Sequence, residues 1–361
     1  MADTRRYGLI GAGMMGREHI QNIALVPGAE LSAICDTNKA SIDASKRTAG
    51  AAGFENIKTY NDYKQLVAAE TLDAIIIATP NFTHADIVLD LIDTDIALLV
   101  EKPLCTTIID AERVADLAQK RKALFWTGLE YRYMPPVAEF VKRVHAGDIG
   151  ALQMLTIREH RFPFLPKVEN WNRFSRNTGG TLVEKCCHFF DLMRLIVRSE
   201  PTKIYASGAM NVNHLDERYD GETPDIIDNA LAIVDFQNGV RAQLDLCMFA
   251  DGSEEQEEIC AVGDAAKLEV KIPSAKLIHS PRTGFGGAKQ IKTEIIETDA
   301  AALSAGHHHG ATYHQLLDFH SALVDGRSAT VTAIDGLRSV VMGAVAHQSI
   351  ETGQAVEVSF K

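Results

Sequence analysis

The feature of this sequence that most restricts its fold is a glycine pattern near the N-terminus. Gly11, Gly13 and Gly16 follow the apolar stretch 7–10 and precede the helix-forming stretch 17–25. The first glycine allows a tight turn, the second lets a pyrophosphate approach, and the third lets the helix pack closely on the strand. The N-terminus of that helix attracts an anion through its unpaired N–H groups. The motif therefore predicts a dinucleotide site, with the candidate cofactor-binding residues Gly11, Gly13, Met14, Met15 and Gly16.

An acidic residue at the end of the next strand indicates which dinucleotide is bound. The predicted strand 30–35 ends in Asp36, about 20 residues beyond the last glycine, where a carboxylate accepts hydrogen bonds from the adenine ribose. Thr37 follows, and no arginine stands close behind it to take a 2′-phosphate, although Lys39 is near. We therefore predict NAD, rather than NADP, as the cofactor.

Strands and helices continue to alternate up to about residue 127. The predicted strands are 74–78, 96–100 and 124–127, and the predicted helices are 83–93 and 108–121. Short alternating units predict an α/β fold, a doubly wound parallel sheet of the Rossmann type, in a domain spanning 1–127. Ligands of such sheets gather at the carboxyl ends of the strands. Further candidate cofactor-binding residues at these ends are Thr79, Pro80, Asn81, His84, Glu101 and Lys102.

The pattern changes in the second predicted domain, 128–361. We predict one strand at 151–161 and two hairpins, 229–236 with 240–248 and 256–262 with 267–272. Asn238-Gly239 in the first hairpin favours a type I′ turn. Adjacent hairpins predict an α+β domain with a large, mostly antiparallel sheet, one face of which packs on a helix. The other face would be apolar and uncovered, so we predict a homo-oligomer, a dimer or tetramer formed through this sheet.

The stretch 179–197 combines two carboxylates with an imidazole. In one continuous helix Glu184, His188 and Asp191 would share a face, at spacings i, i+4 and i+7. Thr181 would cap the first turn, with Glu184 completing a capping box. The structural alternative is an ordinary capped helix with an interior histidine, in which Cys186 and Cys187 only pack. The functional interpretation is an acid/base face on a rigid element.

The loop 162–178 carries aromatic and hydrogen-bonding groups that would suit a polyhydroxylated ligand, or would simply form a surface loop. A histidine run at 307–309, followed by His314 and His320, could hold zinc, but a loop is the simpler interpretation because no paired thiolates or HExxH pattern accompany it. We predict no metal. The candidate substrate-binding residues are Arg132, Trp171, Asn172, Arg173, Arg176, Glu184, His188, His309 and His314.

Length and composition exclude several classes of function. A chain of 361 residues is too long for one ordinary core, which favours two domains. The formal net charge is −12 and no long basic run occurs, so nucleic acid is excluded as a partner. No apolar run approaches the ~18 residues of a membrane span, so no membrane partner is predicted. The six cysteines lack CxxC or disulfide-framework spacing, so we predict a reducing, cytoplasmic location.

Taken in order, the glycine motif, Asp36, Thr79-Pro80-Asn81, Glu101-Lys102-Pro103 and the Gly179-Gly180 segment with Glu184 and His188 resemble the glucose-fructose oxidoreductase and inositol 2-dehydrogenase family. The resemblance covers essentially the whole chain. It implies a nucleotide-binding domain, a mostly antiparallel second domain and oxidation of sugars or cyclitols with NAD(P). It also implies that Lys102 is the catalytic lysine and His188 the general base. Glu184 stands where many members have aspartate, a departure that keeps the charge but lengthens the reach.

The expected activity is that of an NAD-dependent dehydrogenase. It would oxidise a secondary or anomeric hydroxyl of a cyclic polyol or pyranose: scyllo- or myo-inositol, or a glucose-type aldose including the L-series. His188 would take the hydroxyl proton as hydride leaves, Lys102 would favour the developing alkoxide, and Glu184 would orient the imidazole or hold a substrate hydroxyl. Two alternatives stay open: an NAD-dependent glycosidase, in which NAD is reduced and reoxidised within one cycle, and a catalytically inactive NAD-sensing protein.

Overall fold

A computed structural model of the protein describes residues 4–285 and 290–360. The chain forms two compact units. The first comprises the described residues of 1–133, 167–171 and 298–340, and the second those of 134–166, 172–297 and 341–361. The domain boundary between residues 127 and 128 stays a prediction.

The first unit is built on a parallel sheet of six strands. They are β1 Arg5–Ile10, β2 Ala29–Cys35, β3 Lys58–Tyr60, β4 Ala74–Ile77, β5 Ala97–Glu101 and β6 Phe125–Gly128. Their order is β3-β2-β1-β4-β5-β6, and all neighbours run parallel. Every residue of β4 and β5 is buried, as expected for central parallel strands covered on both faces. This strand order is that of a doubly wound dinucleotide-binding sheet, so the predicted fold class of this part is confirmed.

The described residues form twelve α-helices. They are α1 Met14–Ile23, α2 Lys39–Ala51, α3 Tyr63–Ala69, α4 His84–Leu91, α5 Ile108–Lys120, α6 Pro135–Ala146, α7 Ser175–Thr178, α8 Thr181–Glu184, α9 Cys187–Val197, α10 Ala300–Ser304, α11 Ala311–Asp325 and α12 Ala333–Thr352. Short 3₁₀ turns occupy Asn81–Thr83, Glu130–Tyr133 and Val168–Arg173. Nowhere in the described ranges is a helix long and apolar enough to cross a membrane.

Local sequence explains where several helices begin and end. Thr107 caps α5 by accepting the Asp110 N–H at 3.1 Å. Helix α6 starts with Pro135, whose missing N–H is not needed in the first turn, and ends at Gly147 with a φ of +88°. The start of α5 and both ends of α6 can therefore be predicted from local sequence alone.

The second unit is built on a sheet of nine strands. They are β7 Leu152–His160, β8 Pro201–Ala209, β9 Asn229–Phe236, β10 Arg241–Cys247, β11 Glu257–Gly263, β12 Ala266–Ile272, β13 Lys276–Pro281, β14 Lys292–Ile295 and β15 Val356–Glu357. The order is β14-β13-β12-β11-β7-β10-β9-β8-β15. The pair β7 and β10 is parallel and the other described pairs are antiparallel. The predicted, mostly antiparallel sheet is therefore confirmed.

The turn between β9 and β10 differs from the prediction. The Gly239 N–H bonds to the Phe236 carbonyl at 2.9 Å, so the turn is centred on Gln237 and Asn238 instead of on Asn238-Gly239. Gly239 follows with a φ of +86°, and the Phe236 N–H reaches the Val240 carbonyl at 3.0 Å. A type I turn followed by a left-handed glycine is the three-residue alternative to the type I′ hairpin.

The continuous helix predicted over 179–197 is also wrong. It is interrupted at Lys185-Cys186, between α8 and α9, where the Cys186 N–H reaches back five residues to the Thr181 carbonyl at 3.4 Å. Glu184 therefore ends one helix, and His188 belongs to the next. The capping box is not formed, because Gly180 is the N-cap residue and the Thr181 hydroxyl donates to the Ile227 carbonyl at 2.6 Å.

Candidate cofactor cradle and acid/base segment

The three motif glycines form a cradle at the start of α1. A methyl group on Gly11 would lie 2.4 Å from the Ala78 carbonyl carbon, and one on Gly16 would lie 2.1 Å from the Gly11 carbonyl oxygen, so only glycine fits at either position. Apart from Gly13 and its own neighbours along the chain, no heavy atom of the described residues lies within 4 Å of the place a Cβ on Gly13 would take. Gly13 is also the N-cap residue of α1 and has no side chain to cap the helix. The first-turn N–H groups of α1 therefore face a space that suits a pyrophosphate.

Asp36 is held at the end of β2 in a geometry that suits a ribose. Its Oδ2 accepts the Ala12 N–H at 2.7 Å, and its Oδ1 accepts the Asn38 N–H at 2.7 Å. Each oxygen keeps a second lone pair for a ribose hydroxyl. The nearby Lys39 pairs with Asp43 at 3.0 Å, and the Asp36 carboxylate would repel a 2′-phosphate. The donor and acceptor set of this cradle therefore fits NAD.

His84 joins the ends of β4 and β5. Its Nδ1 lies 2.9 Å from the Pro103 carbonyl, and its Nε2 lies 3.1 Å from the Thr79 carbonyl. The ring is fully buried, and this burial lowers its pKa. Of the predicted cofactor-binding set, His84 thus binds the backbone on both sides of the sheet edge where Lys102 stands.

A buried ion pair lies directly behind Lys102. The His19 Nε2 is 2.7 Å from Glu101 Oε1, and the Lys102 N–H donates to Glu101 Oε2 at 3.2 Å. Burial opposes ionisation of Glu101, but the hydrogen bond and charge of His19 outweigh it and lower the pKa of Glu101. Glu101 therefore fixes the backbone of Lys102, whose own side chain is half-buried.

A second cluster in the first unit was not predicted. Glu18 Oε1 lies 2.7 Å from His308 Nδ1, and the Thr312 hydroxyl lies 2.8 Å from Glu18 and 2.7 Å from Glu130. Burial opposes ionisation of Glu18, but His308 lowers the pKa of Glu18 to about 2, whereas burial raises the pKa of Glu130. The Thr312 hydroxyl lies within hydrogen-bond distance of both carboxylates, and its single proton can be donated to only one of them at a time.

This cluster fastens the histidine-containing loop to α1. The His307 N–H also donates to Glu18, at 3.3 Å. Within the described ranges no group of three or more His, Cys, Asp and Glu side chains is arranged to hold a metal ion. The run of histidines was a visible signal in the sequence, but its carboxylate partner on α1 belongs to no motif.

In the second unit the acid/base segment is deeply buried. Glu184 is 5% exposed and His188 is 2% exposed. The Leu182 N–H, in the first turn of α8, donates to His347 Nε2 at 3.0 Å. Burial lowers the pKa of His347 to about 4, so its ring is neutral and able to accept this bond at neutral pH. His347 was missed by the sequence analysis, because it lies on α12 and no spacing links it to α8.

The three arginines predicted to bind substrate each have a carboxylate partner inside their own unit. Arg132 pairs with Asp335 at 3.2 Å, Arg173 with Glu217 at 2.8 Å, and Arg176 with Glu222 at 2.5 Å. Arg132 belongs to the first unit, and Arg173 and Arg176 belong to the second. These ion pairs hold loops in place, and the substrate-binding role of the arginines stays a prediction.

The other predicted substrate residues fall into both units. Trp171 lies in the first unit, with its ring edge-on to Phe82 at a centroid distance of 6.3 Å. Asn172, in the second unit, is buried and donates to the Leu165 carbonyl at 3.1 Å. His309 and His314 belong to the first unit, His309 with a left-handed φ of +53° and His314 half-buried, with a pKa lowered by burial. Their roles toward a substrate stay predictions as well.

Comparison with known proteins assigns both parts of the chain. Residues 5–129 match the family model described as "Oxidoreductase family, NAD-binding Rossmann fold". Residues 141–358 match the model described as "Oxidoreductase family, C-terminal alpha/beta domain". Together these two models span nearly the whole described chain.

Similar individual proteins extend over the full length. The myo-inositol 2-dehydrogenase of Thermotoga maritima is 23% identical and covers 98% of this chain and 98% of its own. The scyllo-inositol 2-dehydrogenase (NAD(+)) of Bacillus subtilis is 25% identical, covering 99% of this chain and 97% of its own. Among solved structures, a levoglucosan dehydrogenase in complex with NADH and levoglucosan has a TM-score of 0.85 at 19% identity, covering 99% of this chain and 100% of its own. At that identity the structural match shows the fold alone.

Proposed function

Because the chain belongs to the GFO/IDH/MocA oxidoreductase family, we propose that it is an NAD-dependent dehydrogenase whose substrate is a cyclic polyol or a pyranose sugar. The predicted family, fold class and NAD cofactor are confirmed by the two matching domains. The finer part of the proposal is the substrate: scyllo- or myo-inositol, or a glucose-type aldose including the L-series.

One observation carries the proposal. A glycine cradle that ends in the fixed carboxylate of Asp36 is joined, in the same chain, to a buried segment bearing Glu184 and His188. The first binds a hydride acceptor, and the second offers a base for a hydroxyl proton. The substrate class is supported by the full-length similarity to inositol 2-dehydrogenases.

In the oxidation of an alcohol, His188, Lys102 and Glu184 would have different roles. Bound NAD supplies the hydride acceptor. The His188 imidazole takes the proton of the reacting hydroxyl, and the Lys102 ammonium favours the developing alkoxide. Glu184 orients the imidazole or holds a neighbouring hydroxyl of the substrate. Lys102 and His188 belong to different units, so these roles rest on the family resemblance and on the surroundings of each residue.

The experiment that tests this proposal is NADH formation with the purified protein, NAD, and a panel of inositol isomers and both enantiomers of common aldoses. We expect turnover with at least one cyclic polyol or pyranose. Lys102→Ala and His188→Gln should each lower kcat by about 100-fold or more, because each removes a group that acts on the reacting proton or oxyanion. NAD binding, measured by calorimetry, should persist in His188→Gln, because His188 is not among the predicted cofactor-binding residues. Lys122→Ala, at an exposed lysine of the first unit, is the matched control and should keep full activity.

Other results would select the alternatives. Cleavage of aryl glycosides without net NADH would indicate the glycosidase. NAD binding without turnover on polyols, sugars or glycosides would indicate the sensing protein, and the dehydrogenase proposal would then be wrong.

The proposal includes self-association through the outward face of the nine-stranded sheet. Tyr205 on β8 pairs with Ile233 on β9, and Ile233, Leu231 and Met154 are all more than half exposed. Apolar side chains in register on one face favour a matching face on a second copy of the chain. Light scattering should give the mass of a dimer or tetramer.

The cytoplasm remains the proposed location. All six cysteines are free thiols, as is typical of proteins in a reducing compartment. Fractionation of the producing cells, with the protein followed by antibody, would test the location directly.

A further inference from the structure

We infer, on the basis of the function proposed above, that Lys185 is a positioning residue: through Glu159 on β7 it fixes the break between α8 and α9, and so sets where Glu184 and His188 stand. Lys185 touches neither cofactor nor substrate in this role. It acts on Glu184, directly before it in the sequence, and on His188, three residues after it.

The side chain of Lys185 is buried and closely held. Its Nζ lies 2.8 Å from Glu159 Oε1 and 5.5 Å from the centroid of the Phe189 ring. Glu159 is fully buried, and its Oε1 also pairs with the Arg161 guanidinium at 3.4 Å. Removing an ammonium group from water is unfavourable unless it is paired, so this pairing determines where the lysine can lie. The backbone at Lys185 is therefore tied to the sheet.

Packing alone does not explain why Lys185 and Glu159 form an ion pair at this buried position. On the inward face of the sheet Glu159 lies directly opposite Glu257, whereas the next inward pair on the same strands is Ile157 with Ile259. Like charges opposite one another on neighbouring strands destabilise a sheet. Burial, and then the charge of Glu159, raise the pKa of Glu257 to about 7. Apolar residues would cover this end of the sheet at lower cost, so the ionic cluster calls for a role beyond stability.

The backbone shows what the tie controls. The Cys186 N–H bonds five residues back to Thr181, a wide turn that ends α8 before α9 begins. Turns of this kind recur at functional sites, because they change the direction of the side chains that follow. On its other side α8 is held by α12, where a Cβ on Gly343 would lie 2.6 Å from the Leu182 carbonyl oxygen. With α12 on one side, Lys185 connects the break to β7 of the sheet through Glu159.

The test separates positioning from stability by removing the whole ion pair. Lys185→Met alone leaves Glu159 buried without its closest cation and should lower the melting temperature. Lys185→Met combined with Glu159→Leu replaces the pair by apolar side chains and should recover most of that loss. The matched control is Arg194→Met combined with Glu200→Leu, which removes the 2.9 Å ion pair near the other end of α9.

We expect the Lys185/Glu159 double variant to melt near the wild-type temperature, yet to show a kcat about 10- to 100-fold lower with an unchanged KM for NAD, because small displacements of reacting groups have effects of this size. The NMR titration midpoint of His188, assigned with His188→Gln, should also move by about half a pH unit or more. The Arg194/Glu200 variant should keep both the kcat and the His188 titration. The single variant Glu159→Gln keeps an oxygen acceptor for the Lys185 side chain, so its kcat should stay within a few-fold of the wild-type value.

A double variant with wild-type kcat and wild-type His188 titration would overturn the inference. If the double variant does not fold, Glu159→Asp takes its place, since it keeps both charges and shortens the tie by one methylene. An unchanged kcat and His188 titration in that folded variant would be equally decisive against it. Inactivity of the wild-type protein on every substrate would refute the proposed function, whereas the His188 titration would still decide the role of Lys185.

Discussion

Among single residues, His84 shows how a buried side chain organises the backbone around a candidate catalytic group. Both of its ring nitrogens face main-chain carbonyls, those of Thr79 and Pro103. A neutral imidazole can donate only one of these two bonds, and burial favours the neutral ring by lowering its pKa. His84 therefore stabilises the loop after β4 and the loop after β5 that contains Lys102, and this role would accompany any contact with the cofactor.

We expect His84→Ala to weaken both stability and turnover. The free energy of unfolding should fall by about 1–3 kcal/mol, because one main-chain carbonyl loses its donor and the buried ring is lost. The value of kcat/KM should fall by about 10-fold, because the backbone next to Lys102 loses its support. Urea unfolding and steady-state kinetics measure the two effects.

The control for this variant is His320→Ala in the same unit. His320 is buried and hydrogen-bonded to Tyr7 at 3.0 Å, away from the strand ends that carry the motif residues. It should lose comparable stability while retaining kcat/KM. Equal losses of kcat/KM in the two variants would mean that His84 has no special relation to Lys102.

Among the helices, α8 depends on its surroundings more than any other element of the acid/base segment. A helix of four residues is not stable by itself, because it forms too few internal hydrogen bonds to offset its nucleation cost. At the N-terminus of α8, His347 Nε2 accepts a hydrogen bond from the Leu182 N–H. It can accept this bond only while Nε2 is unprotonated. The position of Glu184 therefore depends on the ionisation state of a residue on α12.

This dependence predicts how stability changes with pH. The pKa of His347 is about 4 in the folded protein, against 6.5 for an ordinary histidine. A lowered histidine pKa contributes stability that is complete above pH 6.5 and is lost as the pH falls toward 4, in total roughly 3 kcal/mol. His347→Gln keeps an acceptor but cannot titrate, so its free energy of unfolding should fall less steeply between pH 6.5 and 4. If the free energy of unfolding, measured with urea, fell equally steeply with pH in the wild-type protein and in His347→Gln, the assignment would be contradicted.

At the scale of the whole molecule, the outward face of the nine-stranded sheet predicts the assembly state. Leu231→Asp and Ile233→Asp each place a charge among apolar side chains that the proposed interface would bury. Combined, they should shift the protein to monomers in light scattering at micromolar concentration, with the monomer fold retained in circular dichroism. Ile109→Asp, at an exposed position on α5, is the control and should leave the assembly unchanged. A wild-type protein that is monomeric at high concentration would refute the predicted oligomer.

The features that could be predicted from the sequence are those that local sequence signals determine. The doubly wound parallel sheet of the first unit, the cradle and the hairpin strands follow from glycines, alternation and apolar runs within windows of a few residues. The break at Lys185-Cys186 could not be predicted, because its causes lie on β7 and α12, far away in the sequence. The cluster of Glu18, His308 and Thr312 escaped for the same reason, since its members lie on separate elements with no shared motif.

Gly180, the N-cap residue of α8, limits how this protein can change over evolutionary time. Gly180 has a φ of +84°, and a Cβ there would lie 2.4 Å from His347 Nε2. Replacement is therefore blocked twice, once by the backbone and once by the ring. Shrinking residue 347 would relieve the clash but leave the strained φ, so no single compensating substitution opens position 180. A lineage can vary residue 347 among side chains that accept a hydrogen bond, while the glycine beside it stays fixed.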